Sequence, residues 1–421
     1  MKKVILLFIL ELFGFLFIQA QPFKTGTPEE GGFSAPRLDR IDQLLTAAIE
    51  DEAIPGAVSL IVRNGQIVQF KAYGYSDKAI GKKMEKDNIF RIASQSKAIT
   101  SLAVMMLWEE GKFQLDDPIS KYIPEFQKPQ VITSFDSADS SYTAQPAVRE
   151  ITVRHLLTHT SGIDYAGIGS REFKAIYAKA GIPSGIGNDD YILGERMKIL
   201  GQLPLKHEPG EKFTYSLSID VLGYLVEVWS GMTFDEFLSE KIFKPLGMDD
   251  TYFYLPASKH NRLVPLYSGA NKQLSKMSGQ VFDRVNPDYP NLAGSYFSGG
   301  AGLSSTIEDY AKFLQLFLNK GTFNGHRLLS RKTVELMLTN QIQIENTAPF
   351  GLGFGLETAE NDYLSPQSIG SFRWGGAFKT SYWADPVEGL IGLLYTNMYQ
   401  QTQYTDLESK FKTLVYQAIN D

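Results

Sequence analysis

Ser94-Gln95-Ser96-Lys97 sets a hydroxyl and an amine three positions apart. On a helix, positions i and i+3 share a face, so the two groups can meet. A lysine amine kept from water tends to lose its proton and can then accept one from the hydroxyl, leaving a nucleophilic oxygen. At a helix start the free backbone N–H groups point outward and stabilise developing negative charge. The segment is therefore an acylation pair that needs no histidine.

The same spacing recurs at Ser409-Lys410-Phe411-Lys412. Context separates the two copies. Ser94 follows the strand-like run Ile89-Phe90-Arg91-Ile92-Ala93 and opens an apolar helix to Glu110, closed by Gly111. The second copy sits on an amphipathic terminal helix and reads as structural. His155 and His159 stand four apart, as on a zinc helix, but Leu156 rather than Glu follows His155 and no third ligand is suggested. They read as structural histidines in a turn. The sequence holds no Gly-x-Ser-x-Gly elbow and no phosphate-binding glycine loop, which argues against an α/β-hydrolase. No metal or cofactor is implied, because serine–lysine chemistry is self-contained.

The elements that must position these residues fall into two groups. Near the N-terminus, Ser34 caps a helix over 34–52 with Leu38, Ile41, Leu45, Ala48 and Ile49 on one face. Ala57 to Val62 and Ile67 to Ala72 flank Asn64-Gly65, a dipeptide that a tight hairpin turn prefers. Near the C-terminus, Thr306 to Lys320 reads as a helix ended by Gly321, and Ser330 caps another. Thr380 to Ala384 and Leu390 to Asn397 read as strands, and a last helix shows Leu407, Phe411, Leu414, Val415 and Ala418 on one face. Between them, Ser218 and the Thr233/Glu236 capping box start helices. Lys128 to Glu150 and Ile163 to Asp190 read as long loops of the functional or lid kind. The expectation is an α/β fold: an antiparallel sheet made from both termini, flanked by helices, with a mainly helical part inserted. The sheet part covers about 21–92 and 300–421, and the helical part about 93–299.

Four local motifs resemble the class C β-lactamase-related serine hydrolases, a superfamily that includes D-aminopeptidases, D,D-peptidases and the family VIII carboxylesterases. They are Ser94-Gln95-Ser96-Lys97, Leu156-Leu157-Thr158-His159-Thr160-Ser161-Gly162, Tyr215-Ser216-Leu217-Ser218 and Trp374-Gly375-Gly376-Ala377. The resemblance spans about residues 30 to 416. It implies that Ser94 is the nucleophile, Lys97 its partner and Tyr215 the catalytic tyrosine. It also implies that Trp374, Gly375, Gly376 and Ala377 line the substrate site, and that the Ser94 and Ala377 N–H groups form the oxyanion hole. A phenol beside ammonium groups gives up its proton more readily, so Tyr215 can exchange one with Ser94. Two departures stand out. Leu217 replaces the Asn of class C β-lactamases, and Trp374-Gly375-Gly376 replaces their Lys-Thr-Gly. Both changes are expected to make the pocket more apolar, as in family VIII esterases, which this chain matches best in pattern. Arg373 and Lys379 lie close enough in sequence to bind an anion. The expected activity is a carboxylesterase working through an acyl-enzyme. A D,D-peptidase or D-aminopeptidase comes next, then a β-lactamase, and an inactive penicillin-binding-like module is the non-enzyme alternative.

With 421 residues, 43% hydrophobic, the chain can bury a large core. The net charge of −6 comes without a basic stripe, which argues against nucleic acid and a polybasic membrane patch. The partner expected is a small-molecule ester or amide. Lys2 and Lys3, the apolar run Val4 to Ile18 and the small Ala20 read as an export signal over 1–20. A membrane anchor needs about 20 apolar residues, and Glu11 interrupts this run. Loss of the segment takes Lys2, Lys3 and Glu11 with it and moves the net charge from −6 to −7. The protein is thus expected in the periplasm or outside the cell. Without cysteines, it has no disulfides, and the core alone must hold the exported fold.

Overall fold

Asn64 and Gly65 take φ of 51° and 75°, the paired left-handed conformation of a two-residue hairpin turn. They join β1 (Gly56–Arg63) to β2 (Gln66–Asp77). The computed structural model describes residues 23–187, 190–282 and 285–421, and the expected export signal lies outside these. Three C-terminal strands complete the middle of the sheet: β3 (Phe372–Gly376), β4 (Thr380–Asp385) and β5 (Leu390–Tyr395). β5 runs antiparallel to β1, with Leu390 opposite Arg63 and Tyr395 opposite Val58. The two ends of the chain thus pair at the sheet's centre. The order is Lys24–Thr25, β2, β1, β5, β4, β3, Gly355–Leu356. Every pairing along this order is antiparallel except that of Lys24–Thr25, which lies parallel to β2.

The helices that frame the sheet and the site are α1 (Ala35–Glu50), α2 (Ser96–Glu109), α3 (Arg171–Lys179), α4 (Ser218–Ser230), α5 (Ile307–Leu318) and α6 (Leu407–Tyr416). On one face of the sheet, Leu38, Ile41 and Leu45 of α1 and Leu407, Phe411 and Val415 of α6 pack on Ile61, Trp383 and Leu394. On the other, α2 and α5 cover Val58, Leu60, Tyr382 and Leu393, and the same apolar cluster continues into α4 through Leu222 and Leu225. Covered on both faces, β1 buries all eight of its residues, so it lacks the in–out alternation of a half-exposed strand.

Several local expectations change in detail. Ser34 stands at the start of α1, but its hydroxyl makes no cap; its backbone N–H is tied to the Ala418 carbonyl at 2.8 Å. Leu217, not Ser218, occupies the cap position of α4; the Ser218 hydroxyl is engaged by those of Ser161 and Ser216. The Thr233/Glu236 box and the Ser330 cap are present. The stretch 128–150 is not a loop. It holds a hairpin, Gln130–Phe135 with Tyr142–Pro146, turned by Asp136 and Asp139 side chains that accept the N–H groups of Ala138 and Ser141. Its polar composition hid it, since the second strand is exposed along its whole length. The stretch 163–190 contains α3, which turns Phe173, Ile176 and Tyr177 inward.

Candidate active site

The turn bearing Ser94 is held from three directions. Phe90–Arg91 pairs with Ser304–Ser305, a shorter strand than the run 89–93 suggests, and the Ile92 N–H donates to the Leu303 carbonyl at 3.1 Å. Ala93 then takes φ 43°, a left-handed conformation that costs a non-glycine residue about 1–3 kcal/mol. Its neighbours hold it there. The Tyr310 hydroxyl donates to the Gln95 carbonyl at 2.9 Å and the Tyr395 hydroxyl to the Gln95 side-chain oxygen at 2.6 Å. The Ser96 hydroxyl donates to the Ala93 carbonyl at 2.6 Å and accepts the Leu303 N–H at 3.1 Å. Ser94 therefore sits in a tight turn, Ala93–Gln95, one step before α2 rather than inside it.

Lys97, 3% exposed, turns its Nζ back toward that turn. Nζ lies 3.3 Å from Ser94 Oγ, 3.1 Å from Tyr165 Oη and 2.7 Å from the Gly300 carbonyl oxygen. The Gly300 carbonyl and the Tyr165 hydroxyl thus fix the amine beside Ser94 Oγ, within reach of a proton exchange. Gly300 is required for this approach. A Cβ there would stand 2.8 Å from Asp220 Oδ2, 3.0 Å from Tyr165 Oη and 3.4 Å from Lys97 Nζ.

Tyr215 faces the same amine with its ring, whose centroid lies 4.4 Å from Lys97 Nζ. The Trp374 indole N–H donates to the Tyr215 hydroxyl at 3.4 Å. Tyr165 and Asp220, which sequence reasoning passed over, lie behind this pair. Burial, then the neighbouring Tyr215 and Asp220, push the Tyr165 phenol well above its usual range, so it stays protonated. Asp220 is fully buried and accepts from the Tyr296 hydroxyl at 3.2 Å. Burial raises its pKa to about 6 against the opposing pull of Ser298 and Lys97. Both left traces in the sequence: Tyr165 follows the Ser161-Gly162 turn closely, and Asp220 is a lone carboxylate among Ile219, Val221 and Leu222.

The two histidines serve the scaffold. His155 Nδ1 accepts the Thr152 N–H at 3.1 Å, while Thr152 Oγ1 accepts the His155 N–H. His159 is buried with its ring 4.8 Å from that of Tyr215. Burial, reinforced by the Lys97 charge, holds its pKa well below the usual value, so it is a neutral support beneath the tyrosine.

Trp374, Gly375, Gly376 and Ala377 form one wall of a 540 Å³ cleft that also contains Ser94 and Tyr215. Among the described residues Gly355–Leu356 reaches only Phe372 and Arg373 of β3, which leaves the 374–376 edge of β3 open to a substrate. Leu217 does not line the cleft. It is fully buried, one layer behind Gly185, where an added Cβ would stand 2.6 Å from its Cδ2. The apolar wall beside Ser94 comes instead from Ile168, Ile186, Phe282 and Ala301. Of the two cations expected near the site, Arg373 borders the cleft and Lys379 does not.

The second serine–lysine copy is not merely a packing face. Ser409 and Lys412 border the far end of the same cleft, with Glu408. Burial, then the Arg373 charge, lowers the Lys412 pKa to about 8, against the pull of Glu357 and Glu408. The spacing marked this copy but not its place, which the docking of α6 on β4 and β5 sets.

The family model described as Beta-lactamase matches residues 41–416. Esterase EstB of Burkholderia gladioli is 31% identical over 395 residues, covering 90% of this chain and 94% of its own. A putative D-alanyl-D-alanine carboxypeptidase of Escherichia coli is 27% identical, covering 88% of this chain and 84% of its own. Among solved structures, EstCE1, described as a hydrolase with promiscuous acyltransferase activity, superposes with a TM-score of 0.78 at 27% identity, over 90% of this chain and 99% of that one. The fold, the strained serine turn and these likenesses agree: the chain belongs to the β-lactamase family, within the class C β-lactamase-related serine hydrolases.

Proposed function

We propose that the protein is an exported carboxylesterase that forms an acyl-enzyme on Ser94. The observation that carries this reading is the seating of Lys97, whose amine is fixed by Gly300 and Tyr165 with Ser94 Oγ as its third neighbour. In the proposed cycle, Lys97 takes the Ser94 proton as Oγ adds to the ester carbonyl. The Ser94 and Ala377 N–H groups receive the oxyanion, each worth ~3 kcal/mol of transition-state stabilisation. Tyr215 gives its proton to the departing alkoxide and regains one from Lys97. Water then enters, loses a proton to the same pair, and releases the acid and free Ser94. The aromatic wall of Trp374 and Tyr215 beside Ser94 supports the ester reading.

The experiment is hydrolysis of p-nitrophenyl butyrate and a chromogenic cephalosporin side by side, with Ser94→Ala as control. Ester turnover lost in Ser94→Ala, with little cephalosporin turnover, supports the esterase. Faster cephalosporin turnover replaces it with a β-lactamase. One observation favours a second reading: Arg373 and Lys412 at the cleft's far end suit a terminal carboxylate, as a D,D-peptidase requires. Release of D-alanine from a D-alanyl-D-alanine peptide, with no ester cleavage, selects it.

A further inference from the structure

Ser94 opens onto two spaces. One is the 540 Å³ cleft bordered by Tyr215 and Trp374. The other is a narrow passage of 50 Å³ between Ile168, Ile186, Phe282 and Ala301, which Tyr215 does not border. A departing alkoxide needs the proton donor beside it, so the leaving group belongs in the cleft with Tyr215. The acyl group is left with the passage, whose walls are mostly carbon. Ile168, 53% exposed, stands at its mouth and also borders the cleft.

Beyond the passage lies a separate groove of 220 Å³ bordered by Ala166, Lys174, Ala178, Ile182, Tyr191 and Val285. Gly167, Ser184 and Phe282 border both spaces. Gly167 and Ser184 are small, so the Phe282 ring is the bulk of the shared wall. That ring is braced by Phe378 and Tyr399, at centroid distances of 5.8 and 5.2 Å. Its backbone stands at φ 46°, a conformation that tertiary contacts must hold.

We propose that the acyl chain of the substrate enters the passage between Ile168 and Phe282, and that Phe282 sets the longest chain accepted by closing off the groove beside α3. This inference rests on the esterase reading and names its acid component: short, unbranched acyl groups. Since a cavity of about 150 Å³ takes up benzene, the groove is large enough for a medium-length chain once the ring is removed.

Alkylboronic acids test this without turnover, because Ser94 Oγ adds to boron and the alkyl group occupies the acyl position. Dissociation constants of n-butyl- and n-octylboronic acid are measured calorimetrically on the full chain. Wild type is expected to bind the octyl compound at least tenfold more weakly than the butyl. Phe282→Ala is expected to reverse that preference by tenfold or more. Adding Ala178→Trp, an exposed position on the groove, restores the short-chain preference and leaves butyl binding within a few-fold. An unchanged octyl-to-butyl ratio in a Phe282→Ala protein that still binds the butyl compound overturns the proposal, as does an Ala178→Trp addition that alters nothing. If wild type binds both compounds yet cleaves no p-nitrophenyl ester, the esterase reading alone falls and the ratios still decide the groove. If neither compound binds wild type, the proposal falls with the nucleophile.

Discussion

Gly376 lies so close to Ile92 that a Cβ on it would stand 2.4 Å from the Ile92 carbonyl oxygen. That contact joins the end of β3 to the residue two before Ser94, and it puts Ala377 and Ser94 on the same cleft wall. A methyl group at 376 would also meet Thr380 Oγ1 at 2.3 Å, so the strand must move outward. Gly376→Ala is expected to lower kcat for p-nitrophenyl butyrate by ~10²–10³-fold, the loss seen when one oxyanion donor is displaced. Ala377→Gly keeps the amide and is expected to stay within a few-fold. Steady-state kinetics on the pair checks this, and equal losses would sink it.

Tyr165 accepts from Lys97 but stays neutral, so its part is to orient the amine. Tyr165→Phe is expected to lower kcat roughly 10–100-fold with little change in KM. Tyr215→Phe, which removes the proposed proton donor, is expected to lower it by ~10²–10⁴-fold. The kcat and KM of both variants on one ester rank the two phenols, and a larger loss at Tyr165 would reverse their roles.

Asp220 predicts a pH-dependent stability. Its pKa rises from 3.8 to about 6 on folding because burial disfavours the carboxylate. A raised carboxyl pKa means that folding prefers the protonated form. The benefit is whole below pH 3.8 and is lost as pH climbs through 6. By pH 7.5 the ionised group costs the fold on the order of 3 kcal/mol. Asp220→Asn can still accept the Tyr296 hydroxyl and is expected to raise Tm at pH 7.5 but not at pH 4. Calorimetric melts at both pH values decide it.

Leu217 sits behind Gly185 rather than in the cleft, so restoring the Asn of class C β-lactamases would bury an amide with nothing to reach. Leu217→Asn is expected to destabilise the fold by ~1–3 kcal/mol and to add no cephalosporin turnover. Urea unfolding and a chromogenic cephalosporin assay together check both halves; a gain in turnover would place position 217 on the cleft wall.

What could be read from the residues was governed by local rules. The Asn64-Gly65 hairpin, the faces of α1 and α6 and the Thr233/Glu236 box each depend on neighbours a few positions away, and each is present. Ser94 and Lys97 were legible for the same reason: they stand three positions apart, and one turn of chain brings them together. The hairpin within 128–150 was hidden because its second strand is exposed along its whole length and buries no apolar face.

The sequence by itself determined the serine–lysine pair, the Asn64-Gly65 hairpin, the helix faces and the fold class, because period and short spacing encode them. Tertiary structure alone decided that Tyr165 and Gly300 seat the Lys97 amine, that Asp220 lies behind them, that Leu217 is covered, and that Lys412 reaches Arg373. Those contacts join residues 68 to 203 positions apart around Lys97. Nothing in the spacing of such residues distinguishes them from the other tyrosines, glycines and lysines of the chain. Only the tertiary packing brings them together.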